Sequence, residues 1–421
     1  MSSLSFSVLF VGFILATLLL RFWLGSRHIR HILANRDAVP AQFAEKITLA
    51  AHQKAADYSV AKSKFGLLMT LVGSATLIGF TLLGGLQWIA VAVLGQTGPG
   101  MGYQMGLMVA FTLISSAIDL PFDYYKQFVL EQRFGFNKMR PGLFFVDIIK
   151  GTLIGALIGL PLLWVILSLM EKSGDLWWVY AWLVFSGFQL LMLVLYPSVI
   201  APLFNKFTPL EDASLRERIE NLMHRVGFAS SGLFVMDGSK RSAHGNAYFS
   251  GFGSQKRIVF FDTLLARLSP TEIEAVLAHE LGHFKLKHIV KRIVMMFILS
   301  LGFLALLGYL KTKLWFYTGL GVDPMIGAGN DAMALLLFML ALPVFTFVFS
   351  PLTSISSRKH EFEADAFAAQ HTKAQDLVAA LVKLYEDNAS TLTPDPLHSA
   401  FYDSHPPATL RINKLLASAA A

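Results

Sequence analysis

The stretch AHELGHFKLKH, residues 278–288, contains two histidines with the spacing of metal ligands. His279 and His283 are four residues apart, so on a helix they share one face and can present two imidazoles to one ion. Glu280 lies beside them and can reach a water molecule on that ion. This H-E-x-x-H pattern predicts two zinc ligands and a general base. Two ordinary surface histidines are the alternative, but residue usage gives the pattern by chance in only about 1% of chains this long.

Catalytic zinc usually has three protein ligands and one open position, so a third ligand is needed. His288 comes five residues after His283, and we expect it to point away from the site, at the membrane interface. The tail segment SRKHEFEAD offers Glu361 and Asp365, again four residues apart. One of these carboxylates can bind zinc while the other accepts the second N–H of a ligand histidine. Spacing alone leaves open whether Glu361 or Glu363 is the ligand.

The helix that must carry the first motif has a clear start. Ser269, Pro270 and Glu272 supply a capping serine, a proline at the first helical position and a glutamate three residues after the cap. The apolar face that follows is formed by Ile273, Val276, Leu277 and Leu281. Short strands are predicted upstream of this helix, at 232–235, 257–261 and, between them, 246–249.

The composition indicates a membrane protein with several spans. Of 421 residues, 54% are hydrophobic and only 15% are charged, against roughly 25% charged in a soluble domain. The net charge of +7 does not indicate a nucleic-acid partner, because the basic residues lie in loops between apolar segments. The sequence contains no cysteine, which excludes disulfides and cysteine–zinc sites.

Seven segments are apolar and long enough to span a bilayer, which takes about 20 residues. They are residues 4–24, 65–94, 104–120, 143–169, 176–200, 289–310 and 332–350. The first lacks a positive n-region and a small-x-small cleavage site, so we interpret it as a retained span and not as a signal peptide. The third gives the weakest signal, because Asp119 and Pro121 crowd its end.

Lysine and arginine are concentrated in the first and third loops between these spans, whereas the fifth loop is long and mixed in charge. The positive-inside rule then puts these loops and the C-terminal tail in the cytoplasm. The resulting division of the chain is spans one to five (1–200), a catalytic loop domain (201–288), spans six and seven (289–350) and a C-terminal segment (351–421). Because an even number of spans separates the loop domain from the tail, both emerge on one side and can form a single cytoplasmic domain.

Several ordered motifs give the chain a resemblance to a known family. They are HELGH, SRKHEFEADAFA, SKRSAHGNAYFSGFG and SHPPATLRI, together with YYKQFVLEQRFGFN at 124–137 and YPSVIAPLFNKFTPL at 196–210. With its seven spans, the chain resembles the membrane-integrated zinc endopeptidases of the CAAX prenyl protease type 1 family, from about Asp119 to the C-terminus. The part before Asp119 matches mainly in hydropathy.

The resemblance implies a mainly α fold and a defined metal. The fold is a ring of seven transmembrane helices around a large chamber, with a small α+β zinc-metalloprotease domain made by the 201–288 loop and the C-terminal tail. One Zn²⁺ per chain is expected, bound by His279, His283 and Glu361.

Further residues support this centre by the same resemblance. Asp365 becomes the carboxylate behind a ligand histidine. His405 matches the family's H-P motif and can donate to the oxyanion that forms during hydrolysis; its alternative role is packing at a helix start. Arg411 is expected to hold this region, and Arg358 is expected to pair with a carboxylate.

The resemblance also identifies the residues that meet the substrate. Asn246, Ala247 and Tyr248 match the family's N-A-Y edge strand, and an extended peptide can add to such an edge through main-chain hydrogen bonds. Without the family, Asn246 is compatible with a turn. The family's substrate is a prenylated C-terminal CAAX peptide, from which cleavage removes the last three residues.

We therefore predict a zinc-dependent endopeptidase, a monomer in the lipid bilayer, that acts on peptide or protein substrates with or without a prenyl group. The short loops and the lack of a recognisable retention signal suggest a bacterial inner membrane, with the endoplasmic reticulum as the eukaryotic counterpart. A membrane quality-control metalloprotease of the heat-shock type shares the motif but generally has fewer spans. A zinc transporter is the remaining alternative, although His279 and His283 precede span six and transport has no need of Glu280 as a base.

Overall fold

The structure, a computed structural model, describes residues 1–250, 256–325, 327 and 329–420. Its N-terminal half consists of helices with short connections. These are α1 Ser3–Ala34, α2 Leu49–Phe80, α3 Gly85–Thr97, α4 Met101–Tyr125, α5 Gln132–Phe134, α6 Pro141–Lys172, α7 Trp177–Leu195 and α8 Ala201–Phe204. The π-helical turns Lys126–Glu131 and Tyr196–Ile200 join α4 to α5 and α7 to α8 without a break.

The C-terminal half combines short strands with further helices. The strands are β1 Phe207–Pro209, β2 Gly232–Met236, β3 Ala247–Ser250 and β4 Arg257–Phe261. The helices are α9 Ala213–Arg225, α10 Asp262–Leu265, α11 Pro270–Lys285, α12 His288–Leu310, α13 Leu314–Thr318, α14 Asp331–Thr346, α15 Ser350–His371, α16 Ala374–Asp387, α17 Pro396–Tyr402 and α18 Ala408–Ala420. The chain is therefore mainly α with one small sheet, as the sequence predicts.

Seven helical segments of the described chain are long and apolar enough to cross a membrane. They are Ser3–Ala34, Leu49–Phe80, Met101–Phe134, Pro141–Lys172, Gly174–Phe204, His288–Leu310 and Asp331–His371. In the first six, only 6–17% of the most apolar window is buried inside the protein, against 50% in the seventh. Because so little of these helices is buried, most of their surface is free to face lipid or interior space. A ring of helices around a chamber requires such exposed surfaces. The seven-span fold is thus confirmed.

The second predicted span, 65–94, is wrong in its bounds, whereas the other six each fall within one helical segment. α2 begins earlier and ends at Phe80, and the residues up to 94 belong to the separate helix α3. The break falls at Gly84, which has a φ of +78°, and at Gly85, where a Cβ would lie 2.6 Å from the carbonyl oxygen of Gly79. Hydropathy measures apolarity and not backbone direction, so it joins two apolar helices that a glycine turn separates.

The strands form one mixed sheet in the order β1-β2-β4-β3. β2 and β4 are parallel at its centre, and β3 pairs with β4 in antiparallel register. The three predicted strands are confirmed to within one residue at each end. β1 was not predicted, because three residues ending in Pro209 carry too little alternation to be recognised. The glycines at 251 and 253, in the motif that contains β3, lie outside the described residues.

One apolar core joins the sheet to the helices that follow it. Its fully buried members include Ile219, Phe260, Ala278 and Ala380. Polar contacts fix this domain on the spans: Arg241 donates two hydrogen bonds to Asp147 of α6 at 2.8 and 3.1 Å, and Arg27 of α1 donates to Asp395 at 2.8 Å. The loop and the tail thus share one core docked on the membrane helices. The four-part division of the chain remains a prediction.

Candidate metal centre

Helix α11 carries the H-E-x-x-H motif and begins with the predicted cap. The Ser269 hydroxyl accepts from the backbone N–H of Glu272 at 3.4 Å, and the Glu272 carboxylate accepts from the backbone N–H of Ser269 at 2.7 Å. Lys383 of α16 donates to the same carboxylate at 2.8 Å. These bonds satisfy the first amides of the helix and tie its start to α16. Farther along, the helix buries His279 and leaves Glu280 half-buried.

Gly282 lets α11 and α15 approach each other closely. A Cβ at this position would lie 3.0 Å from the Cα of Ala364 and 3.1 Å from the Cβ of Phe367. This contact falls where α15 carries Glu361 and Asp365, so it brings both carboxylates to the motif. The glycine between the two motif histidines is therefore explained by the close packing of these helices.

The side chains of His279, His283 and Glu361 converge on one point. The two Nε2 atoms are 3.2 Å apart, and the Glu361 oxygens lie 3.5 Å from Nε2 of His279 and 3.3 Å from Nε2 of His283. Three ligand atoms at about 2.1 Å from a tetrahedral ion would lie about 3.4 Å from one another. Oε2 of Glu361 is buried and has no hydrogen-bond partner among the described residues. The donor set and its spacing therefore fit a zinc ion.

A buried ion pair lies behind the first of these histidines. Nδ1 of His279 is 2.8 Å from Oδ1 of Asp365, whose oxygens accept hydrogen bonds from Arg411 at 2.6 and 2.8 Å. This contact makes Nδ1 the protonated nitrogen and leaves Nε2 free for a metal. Burial lowers the pKa of His279, but the adjacent carboxylates of Asp365 and Glu361 outweigh burial and raise the pKa to about 9. The carboxylates thus favour positive charge at this point, carried by a proton or by a metal ion.

Two of the converging residues, His279 and Glu361, line a cavity of about 650 Å³, whose wall also includes Glu280 and His405. Nε2 of His405 is 3.4 Å from Oε1 of Glu361, and its Nδ1 lies 2.9 Å from the hydroxyl of Ser404. The side chain of His405 is 61% exposed. In its neutral form the ring keeps one N–H that it can donate. A carboxylate and an imidazole thus lie beside the candidate metal position.

The start of β3 borders the same cavity, where Asn246 and Ala247 line the wall. β4 occupies one side of β3, and in the described part of the chain no strand occupies the other. The Asn246 side-chain oxygen accepts from the backbone N–H of Ala247 at 2.9 Å, which fixes the start of the strand. Tyr248 packs towards β2, with its hydroxyl 4.0 Å from Sδ of Met236. The edge can therefore offer backbone groups to an extended peptide beside the metal position.

Arg358 lies outside the metal centre. Its Nη1 donates to the carbonyl oxygen of Ser399 in α17 at 2.7 Å. No carboxylate of the described residues forms an ion pair with it, so the expected pairing is wrong. A guanidinium can donate to a main-chain carbonyl oxygen as well as to a carboxylate. In this chain the acceptor is the carbonyl oxygen of Ser399 in α17. Arg358 therefore ties α15 to α17.

His288 lies against the metal centre, contrary to the prediction. It is 1% exposed, and its Nδ1 is 3.1 Å from Nδ1 of His283. The prediction assumed one continuous helix, whereas α11 ends at Lys285 and Lys287 has a left-handed φ of 57°. This turn redirects the chain, so a separation of five residues no longer means different faces.

A second polar cluster holds the segment before β3, and sequence reasoning missed it. His244 stacks on Phe136 with ring centroids 4.4 Å apart, and its Nδ1 is 3.0 Å from Oδ1 of Asn388. Glu131 accepts from the hydroxyl of Tyr58 at 2.7 Å and lies 3.7 Å from Nε2 of His244. The segment 124–137 matched the family, but no spacing within it marks Glu131 as a partner of His244.

Comparison with known protein families divides the chain into two matched parts. Residues 28–206 match the CAAX prenyl protease N-terminal domain, which has five membrane helices, and residues 209–419 match peptidase family M48. The two matches meet at β1 and together cover spans two to seven, the metal centre and nearly all of the tail.

The chain is also similar to whole proteins along most of its length. Over 417 residues the chain is 35% identical to the CAAX prenyl protease 1 homolog of Arabidopsis thaliana, covering 96% of each protein. Over 408 residues it is 36% identical to CAAX prenyl protease 1 of Saccharomyces cerevisiae, covering 90% of this chain and 88% of that one. The crystal structure of S. mikatae Ste24p is similar with a TM-score of 0.92 at 32% identity, over 99% of this chain and 100% of that one.

Proposed function

The chain belongs to peptidase family M48 and carries the membrane domain of CAAX prenyl proteases, and from this premise we propose that it is a zinc endopeptidase that cleaves CAAX-type protein C-termini. Its membership makes it a multi-pass membrane metalloendopeptidase with a peptide substrate. The N-terminal match favours this function over that of a heat-shock-type protease. A peptidase family does not support the zinc-transporter alternative.

The proposal rests on the convergence of His279, His283 and Glu361, whose ligand atoms lie 3.2–3.5 Å from one another. Two imidazoles and one carboxylate are a common ligand set of catalytic zinc, which leaves a fourth position open. When bound, the ion supplies Lewis-acid activation of water and of the scissile carbonyl. These three residues would hold it, one ion per chain.

Other residues of the chain bind the substrate, transfer the proton and stabilise the oxyanion. The substrate lies extended along the outer edge of β3, which begins after Asn246, and is held there by main-chain hydrogen bonds. Glu280 accepts the proton of the attacking water and passes it to the leaving amine. His405 donates a hydrogen bond to the developing oxyanion. Asp365 and Arg411 hold His279 in the tautomer that binds metal through Nε2.

The names of the relatives support the choice of substrate, since the proteins from Arabidopsis thaliana and Saccharomyces cerevisiae are both called CAAX prenyl proteases. The cavity of about 650 Å³ lies within the usual range of ligand pockets, about 300–1,000 Å³. It therefore suits one extended peptide segment next to the β3 edge. Cleavage would release the last three residues of the substrate.

Cleavage of a farnesylated CAAX peptide by the purified protein, beside its unprenylated twin, tests this function. We expect the farnesylated peptide to be cut three residues from its end, with Glu280→Gln as the blank. Equal cleavage of the twin would contradict prenyl selectivity and leave a general membrane endopeptidase. Cleavage of neither peptide by zinc-loaded protein would contradict the CAAX assignment itself.

A further inference from the structure

His283, like His279, has a polar partner at its Nδ1 atom, the ring nitrogen that does not face the candidate metal position. Its Nδ1 lies 3.1 Å from Nδ1 of His288, and Nε2 of His288 lies in turn 2.9 Å from Oε2 of Glu363. The side chain of His288 is 1% exposed, whereas that of Glu363 is 36% exposed. A buried imidazole therefore connects the metal centre to a carboxylate that reaches solvent.

The direction of these hydrogen bonds follows from the atoms that face the metal position. Nε2 of His283 faces Nε2 of His279 and the carboxylate of Glu361, so in the neutral ring the proton is on Nδ1. That N–H donates to Nδ1 of His288, which must then carry its own proton on Nε2. Glu363 accepts from that second N–H. Each ring nitrogen then has one role, and the carboxylate determines both tautomers.

We propose that His288 and Glu363 form a relay that positions His283, as the Asp365–Arg411 pair positions His279. The proposal rests on the zinc site proposed above and concerns how firmly that site holds its ion. Ligand histidines generally donate their second N–H to a carboxylate, a carbonyl or water. In this chain the imidazole of His288 lies between the candidate ligand His283 and the carboxylate of Glu363. The turn at Lys287 makes this possible, because it brings His288 back against His283.

A second metal site is the competing interpretation of the same residues. Donor atoms of His288, His360 and Glu363 lie within 4.8 Å of one another. However, the two imidazoles are stacked, with centroids 4.0 Å apart and planes at 13°. Ligand lone pairs lie in the ring plane, so two nearly parallel planes do not direct both rings at one ion. Nζ of Lys359, 3.9 Å from Oε1 of Glu363, adds a positive charge beside the cluster.

Zinc affinity, measured by competition with a chelator, tests the relay without a protease assay. For Glu363→Ala we expect affinity to fall by about 10- to 100-fold, the effect usual for a partner of a ligand histidine. Glu363→Gln keeps an acceptor oxygen and should recover part of the loss. Lys359→Ala is the matched control, because it removes a neighbour of the same carboxylate, and it should leave the affinity unchanged.

The visible spectrum of the cobalt-substituted protein gives a second readout, because it reports ligand geometry and not fold stability. Glu363→Ala and His288→Phe should shift it. His360→Phe keeps the ring stack and should not shift it. Wild-type affinity and spectrum in Glu363→Ala would overturn the relay, as would a second equivalent of zinc that disappears in His360→Phe. Wild-type protein that binds no zinc would instead overturn the proposed function, so the two failures are distinguishable.

Discussion

At the scale of single residues, the metal centre gathers three carboxylates, those of Asp365, Glu361 and Glu280. Arg411 donates to both oxygens of Asp365, and its Nη1 lies 3.6 Å from Glu361. Burying an unbalanced carboxylate costs free energy, and although burial lowers the pKa of His279, Asp365 and Glu361 raise it to about 9. A metal ion held by the candidate ligands would supply the positive charge that this proton otherwise provides.

Glu280→Gln separates proton transfer from metal binding. Because Glu280 is not among the converging ligands, the variant should keep one zinc per chain. Turnover should fall by about 10²- to 10⁴-fold, which is the usual contribution of a general base. Metal analysis and peptide cleavage on the same samples check both parts. Zinc lost together with activity would identify Glu280 as a ligand and remove its role as the base.

Glu361→Ala should lower zinc occupancy far more than Glu363→Ala. The Glu361 oxygens lie within 3.5 Å of both histidine Nε2 atoms, whereas Glu363 contacts His288, which in turn contacts His283. Glu361→Ala removes a candidate metal ligand, whereas Glu363→Ala removes only a group that helps to position one. Zinc content after dialysis against a weak chelator compares them. Equal occupancy would undo the assignment of Glu361 as the third ligand.

Spacing along the chain predicted part of this centre, and the limits have physical causes. His279 and His283 lie on one helix, so their separation alone fixes a shared face. Glu361 and Glu363 could not be distinguished from spacing, because contact between two helices depends on their packing. The resemblance selected Glu361, and the structure brings that residue to the histidines. His288 was misplaced because nothing in the pattern reveals the left-handed residue that precedes it.

At the scale of elements, the close approach of α11 and α15 assembles the centre. One helix carries the motif histidines and the other carries the third candidate ligand. Their contact at Gly282 leaves no room for a side chain, since a Cβ would lie 3.0 Å from the Cα of Ala364 and 3.2 Å from its carbonyl oxygen. The distance between the candidate ligands is therefore set by the contact of Gly282 with Ala364, which lie within three residues of His279, His283 and Glu361.

Gly282→Ala should move these helices apart. Overpacking of this kind costs about 1–3 kcal/mol, offset by about 1 kcal/mol from the better helix propensity of alanine. We expect a lower Tm and weaker zinc binding, because a shift of α15 moves Glu361. Thermal unfolding and chelator competition measure the two effects.

Gly302→Ala in α12 is the matched control, because nothing lies within 4 Å of a Cβ added there. It adds the same methyl group to a helix without the clash and should not lower the Tm. Wild-type Tm and zinc affinity in Gly282→Ala would mean that the helices relax without moving the ligand, and the packing account of Gly282 would fail.

Helices and strands could be predicted where the residues that define them are neighbours in the sequence. The start of α11 has its own cap in Ser269 and Glu272, and β4 has an uninterrupted apolar run. The division between α2 and α3 was missed because it depends on a turn at Gly84 within apolar sequence. The order of the strands was not predicted either, since pairing joins residues far apart in the chain.

At the scale of the whole molecule, the membrane helices form part of the cavity that contains the metal centre. His28 of α1 and Tyr58 of α2 line its wall together with Glu361. Hydropathy could not reveal this, because it identifies apolar segments without saying which ends meet the soluble domain. The cavity at the candidate metal position thus includes residues of the first two spans, so the orientation of the spans determines on which side of the membrane this cavity lies.

The basic loops predict that orientation, with the metal centre on the cytoplasmic side. Because the chain contains no cysteine, each single-cysteine variant carries one reactive thiol. Glu45, Gln96 and Glu217 are exposed positions in the first loop, in the second loop and in α9. In spheroplasts expressing the protein, a membrane-impermeant maleimide should label Gln96→Cys, and should label Glu45→Cys and Glu217→Cys only after the membrane is opened. The reverse pattern would put the metal centre outside and exclude cytoplasmic C-termini as its substrates.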